Sequence, residues 1–165
     1  MGTMARLLVV HHSPTAATRR LSDAVIEGAR TDEVDDVEVV VRDALHANAD
    51  DVLSCDGYLL GTSANFGYMS GALKHFFDSV FLHVGGALEQ APGAESGPST
   101  ARRPFGLWVH GRYDTTGAIT SVTSITQALG WRQGAPTLSV LGEIDEAQLT
   151  KGWELGATLA ASVMH

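Results

Sequence analysis

Residues 7–10 read Leu7-Leu8-Val9-Val10, a continuous apolar run with β-branched side chains, closed by Ser13-Pro14. A strand with no polar face has to be covered on both sides, as in a parallel sheet with helices above and below. Similar runs recur at 57–60, 105–109 and 138–141, and at 37–41, where Glu38 interrupts and points to a position nearer a sheet edge. Between the runs lie stripes of helical spacing. They are Leu21, Ala24, Val25, Gly28 and Ala29; then Leu73, Phe76, Phe77, Val80, Phe81 and Val84; then Ile119, Val122, Ile125 and Leu129. A last stripe holds Leu149, Gly152, Gly156, Leu159 and Val163, preceded by Asp145 and Gln148 in capping-box spacing. Residues 43–54 fit either a short helix or a loop. Strand then helix, repeated five times, predicts an α/β three-layer sandwich. Its sheet has five parallel strands in the doubly wound order 2-1-3-4-5.

With 165 residues, the chain is expected to form one domain over 1–165. Eleven Lys and Arg against nineteen Asp and Glu give a net charge of −8. That balance argues against a basic surface that tracks nucleic-acid phosphates. A single cysteine, Cys55, excludes an intrachain disulfide framework or a Cys-ligated cluster. It precedes a strand start and reads as a small buried hydrophobe. No apolar run approaches a membrane span or a signal-peptide core, so a cytoplasmic setting is expected.

In such a sheet, ligands bind outside the carboxyl ends of the strands, beside the switch point. Three segments are expected to meet there. The first is His11-His12-Ser13-Pro14-Thr15-Ala16-Ala17-Thr18. Hydroxyls among small residues at a helix start suit a single phosphate, because backbone N–H groups and the helix dipole favour an anion. The same residues also serve as an ordinary helix cap. Neither the nucleoside-triphosphate loop nor the Gly-x-Gly-x-x-Gly fingerprint occurs anywhere in the chain. The second segment runs from Gly61, Thr62, Ser63, Ala64, Asn65, Phe66 and Gly67 to Tyr68 and Gly71. An aromatic-edged cleft with backbone donors suits a flat heteroaromatic ligand. The third is His110, Gly111, Arg112, Tyr113 and Asp114, followed by Thr115, Thr116 and Gly117.

The residues Ser13-Pro14-Thr15-Ala16-Ala17-Thr18 resemble the flavodoxin phosphate loop, Ser/Thr-x-Thr-Gly-x-Thr, with Ala16 in place of the usual Gly. The stretch from Gly61-Thr62-Ser63 to Gly71-Ala72-Leu73-Lys74 resembles the corresponding segment of flavodoxin-like NAD(P)H-dependent FMN and quinone reductases, with Ser63 in place of Pro. The resemblance covers essentially the whole chain. It implies that Ser13, Thr15 and Thr18, with the Ala16 and Ala17 amides, hold the phosphate of FMN. It also implies that Thr62, Ser63, Ala64, Asn65, Phe66 and Gly67 flank the isoalloxazine on one side. His110, Gly111, Arg112, Tyr113 and Asp114 flank it on the other. Asn65, Phe66 and Tyr113 are the expected ring contacts.

The implied activity is passage of hydride from NAD(P)H to a quinone, free flavin or similar small-molecule acceptor. The flavin carries the chemistry, so no catalytic side chain is named. A homodimer is one arrangement the resemblance implies. The alternatives are a flavodoxin-type electron carrier without turnover of its own, and a binding module that has lost its flavin. The seven His lack H-x-x-x-H or H-x-H spacing, so no metal site is assigned. The acidic cluster Asp32, Glu33, Asp35, Asp36 and Glu38 reads as a solvated loop. Residues 85–103, rich in Gly, Pro, Ser and Ala, are expected to shape the site or meet a partner subunit, with Arg102 and Arg103 as candidates for a nucleotide phosphate.

Overall fold

The runs without a polar face occupy the middle of one sheet. The computed structural model describes residues 4–85 and 99–164. Strands β1 (Ala5–His11), β2 (Val37–Asp43), β3 (Gly57–Asn65) and β5 (Pro104–Gly111) are mutually parallel in the order β2-β1-β3-β5. Leu7, Leu8, Val9 and Val10 are fully buried, as are Tyr58 and Leu59, because helices cover both faces. Strand β2 is the edge, where Glu38 reaches solvent and pairs with Arg6 at 3.1 Å.

The fifth sheet position is split, where one strand was expected. Both β6 (Arg132–Gln133) and β7 (Leu138–Leu141) pair with β5, β6 at Pro104 and Phe105 and β7 from Trp108 to Gly111. Between them stands Pro136, which has no N–H to give the ladder. A further short strand, β4 (Tyr68–Met69), turns back antiparallel on β3. The central order nonetheless matches the doubly wound 2-1-3-4-5 arrangement.

Helices α1 (Ala16–Ala29) and α5 (Glu146–Val163) cover one face. Leu21, Val25, Leu155 and Leu159 pack there on Leu7, Val9, Leu59 and Trp108. The seam between these helices is a row of glycines. A Cβ on Gly156 would stand 1.9 Å from the Val25 carbonyl oxygen, and one on Gly28 would stand 1.9 Å from that of Trp153. Helices α2 (Ala49–Leu53), α3 (Gly71–Val80) and α4 (Thr116–Ala128) lie on the other face. Leu73, Phe76, Phe77, Val80 and Val122 pack there on Leu8, Val10, Leu60 and Leu107. Each such fully buried Leu or Phe contributes roughly 1.5–3 kcal/mol.

Asp145 and Gln148 form the expected capping box on α5. The open stretch 43–54 contains α2, started by a second capping box between Asn48 and Asp51. The stripe expected to reach Val84 stays buried there, but the helix itself ends at Val80 and the chain turns at Gly85, φ +95°.

Candidate functional site

The three segments meet at the carboxyl edge, as the parallel order requires. The His12 N–H bonds to the Gly61 carbonyl at 3.2 Å, joining the first segment to the second. The Met69 N–H donates to Ser121 Oγ at 3.3 Å, joining the second to α4, which the third segment leads into. Gly117 admits the hairpin closely, since a Cβ there would lie 1.9 Å from the Gly67 carbonyl oxygen.

In the first segment, Thr15 caps α1. Its Oγ1 accepts from the Thr18 N–H at 3.1 Å, and Thr18 Oγ1 accepts from the Thr15 N–H at 3.1 Å. Thr18 also donates to the Thr15 carbonyl at 3.0 Å, and Ser13 Oγ is shared between His11 Nδ1 and Ser22 Oγ. The hydroxyl groups therefore form the turn, which is the helix-cap reading. Ala16 and Ala17 are exposed at the first turn of α1, where helix N–H groups have no partner within the helix. Ala16 opens the helix and needs no positive φ, which explains why alanine can stand where the resembled loop has glycine.

The second segment is a two-residue hairpin between Asn65 and Tyr68. Its tip, Phe66 and Gly67, has φ +52° and +75°. Two positive values are what a tight hairpin turn matching strand twist requires. An aromatic residue there is strained, and Phe66 is also fully exposed, so it is held out of the core. Thr62 Oγ1 accepts from the Ser70 N–H at 2.9 Å and fixes the base of the hairpin. Ser63 donates to Asn65 Oδ1 at 3.0 Å.

In the third segment, Tyr113 is 84% exposed. Asp114 accepts from both the N–H and the hydroxyl of Thr116, which hold its carboxyl below the usual value. His110 is a structural residue on one side, with Nε2–H donating to the Gly142 carbonyl at 2.6 Å. Arg112 is exposed beside it.

Between the first segment and the strand ends lies a crevice too tight to admit a water molecule. Its walls are His12, Ser13, Thr18, Leu21, Thr62, Trp108 and His110. Trp108 and Leu21 escaped the sequence reading. A signal existed: Gly61 is a glycine inside a strand, which marks a close approach. It pairs with Trp108 across β3 and β5, and a Cβ there would stand 2.1 Å from the indole. Burial lowers the pKa of the neighbouring His11, with Asp43 and Asp23 opposing that shift. A roomier hollow of about 460 Å³ lies at the far sheet edge, where Pro136, Thr137, Lys151 and Glu154 offer no aromatic surface.

Two features lie away from this edge. Cys55 is buried at the base of β3, and burial raises its thiol pKa. Arg103 donates to the Val52, Leu53 and Cys55 carbonyls and to Tyr58, so its guanidinium is committed at the amino end. Arg103 thus stands at the end of the sheet away from the three segments, and the nucleotide role expected of it would need a partner subunit. The rest of that expectation, for residues 86–98, lies outside the described residues.

No family model matches the chain. A flavodoxin of Aquifex aeolicus (strain VF5) is 33% identical over 86 residues, 52% of this chain and 45% of that protein. An NAD(P)H dehydrogenase (quinone) of Acidithiobacillus ferrooxidans (strain ATCC 53993 / BNL-5-31) is 32% identical over 95 residues, 46% of each chain. This chain thus spans about half the length of the curated relatives it matches. Among solved structures, a flavodoxin from the domain Archaea superposes with TM-score 0.75 at 17% identity, over 97% of this chain and 99% of that one. The fold is the flavodoxin-like fold, and the resemblance to the flavodoxin-like superfamily read from the loops holds. Among the described residues, no helix is long and apolar enough to cross a membrane.

Proposed function

We propose that the chain is an FMN-dependent oxidoreductase that passes hydride from NAD(P)H to a quinone, free flavin or similar acceptor. The observation that carries it is Phe66, a fully exposed aromatic side chain at a strained hairpin tip, facing the same edge as exposed Tyr113. Strain of this kind persists where the surroundings impose it, and it clusters at ligand clamps.

The residues present fit the cofactor. The first-turn amides of Ala16 and Ala17 would take phosphate oxygens, with the Thr15 hydroxyl, while Ser13 and Thr18 hold the turn. Thr62, Ser63, Ala64, Asn65 and Gly67 carry Phe66 against one face of a flat ring. His110, Gly111, Arg112, Tyr113 and Asp114 form the opposite wall. The bound flavin would accept hydride and hand on one or two electrons. The chain's own contribution is to bind, orient and shield the ring. We place this activity in the cytoplasm, with a homodimer as one arrangement of the working unit.

The test is titration of purified protein with FMN, FAD and riboflavin, followed by NADH and NADPH oxidation with a quinone. FMN should bind with a perturbed visible spectrum and quenched fluorescence, and nucleotide oxidation should follow. FMN binding without turnover would leave a flavodoxin-type electron carrier. No flavin binding at saturation would overturn the reading.

A further inference from the structure

The sheet has two open edges, and the chain treats them differently. On β2, Glu38, Arg42 and Asp43 are charged; Glu38 pairs with Arg6 at 3.1 Å and Arg42 with Asp51 at 3.4 Å. Charged side chains keep an edge from taking up a further strand. On the far side, β7 pairs with β5 alone. Its other row of backbone N–H and C=O groups has no backbone partner among the described residues. From Gly134 to Gly142 no residue is charged, and Leu141 is 49% exposed.

Helix α5 does not roof this strand. Leu155 and Leu159 reach inward to Gly106 of β5. A hollow of about 460 Å³ is left between α5 and residues 135–139, lined on the helix side by Lys151, Glu154 and Thr158. Lys151 and Glu154 are exposed, and neither has an ion-pair partner among the described residues.

We propose that β7 is the seam of a homodimer, in which two copies of this chain pair their β7 strands antiparallel about a two-fold axis and continue the sheet across the contact. A net charge of −8 makes most pairs of faces repel, so a second copy needs an uncharged strand flanked by balanced side chains. The axis also reverses α5 relative to its mate. With Lys151 opposite the partner's Glu154, Glu154 falls opposite the partner's Lys151. In the same register Thr158 falls opposite the partner's Ala147, small against small, and Ala147 and Thr158 are both exposed. One patch thus complements itself, as a two-fold contact requires. The two hollows face each other and give the long side chains room to meet. The seam runs beside the three segments without crossing them, since Gly142, which accepts from His110 at 2.6 Å, lies just past the end of β7. The dimer holds whether or not a flavin binds.

The experiment measures the mass of the full chain by sedimentation equilibrium over a micromolar concentration series, for wild type, Lys151→Glu, Glu154→Lys and the double exchange. Wild type should reach twice the 17.4 kDa chain mass and stop there. Each single reversal sets two like-charged pairs across the axis and should weaken the dimer about tenfold. The double exchange restores both pairs and should recover the wild-type constant. Thermal melts check that the variants fold. Hydrogen exchange on wild type gives a second reading that needs no variant: the amides of 138–141 should exchange more slowly as concentration rises, and those of β2 should not. A monomer throughout the series, or a mass that grows past two chains, overturns the proposal. So does a dimer that neither reversal weakens, or one that the double exchange fails to restore.

Discussion

The two ends of the sheet are built from similar side chains and finished differently. At the amino end, Tyr58 and Trp131 stack with centroids 4.1 Å apart. Trp131 donates to Thr100 at 2.7 Å, Tyr58 donates to the Val52 carbonyl at 2.7 Å, and Arg103 covers the neighbouring carbonyls. The tips of Tyr58, Trp131 and Arg103 there each have a partner within the chain. At the carboxyl end, Phe66 and Tyr113 stand in solvent, and His12 keeps an unpaired nitrogen. One end is completed by its own sequence. The other leaves two aromatic rings in solvent and one buried ring nitrogen without a partner.

The contrast breaks most visibly if the amino end proves dispensable. Trp131→Ala should cost about 3–5 kcal/mol of stability, as large aromatic truncations in cores do. FMN affinity measured below the unfolding transition should stay near wild type. A loss under about 1 kcal/mol in denaturant titration would mean the stack is ornamental.

A smaller effect separates the ends by pH. Burial pushes the Tyr58 phenol up to about 12, with Arg103 opposing. An unfolded tyrosine titrates near 10. Below about pH 10 both states keep the proton and the stability is fully present. Between about pH 10 and 12 the unfolded chain loses its proton first, and roughly 2–3 kcal/mol drains away. Tyr58→Phe should lack this portion of the alkaline decline. Identical decline in both proteins, followed by chemical denaturation across that range, would remove Tyr58 as its source.

At the other end the sign reverses. Phe66→Gly should stabilise the free protein by about 1 kcal/mol, because glycine tolerates the positive φ that strains phenylalanine. It should also weaken FMN by up to about tenfold through the lost ring contact. A melt that rises while affinity falls would show strain kept for binding. A variant less stable than wild type would show that Phe66 serves the fold.

The sheet was legible because burial on both faces leaves no polar residue from Leu7 to Val10 of β1, and because the stripe through Leu73, Phe76, Phe77 and Val80 has one period only. The hairpin at Phe66 was not, since its sequence lacks the Asn-Gly or Asp-Gly pair that usually announces such a turn. Nor was the split fifth strand, where Arg132 and Gln133 are too few and too polar to show a pattern. The site's three segments could be read from strand ends alone. Its crevice could not, because Trp108 reaches it across the sheet from a position that reads as core.

The glycine seam between α1 and α5 also works as a gauge for the mouth of the site. Gly28 lies twelve residues along α1 from Ala16, about 18 Å at the helical rise. Helix α1 is close to a rigid rod, and its far end rests directly on the backbone of α5 at Gly28 and Gly156. A methyl group added at either place would tilt the rod outward and swing its near end, with the Ala16 and Ala17 amides, relative to the strand tips. The spacing between the Thr15–Thr18 turn and the hairpin is thus dimensioned by two missing carbons at the opposite end of a lever.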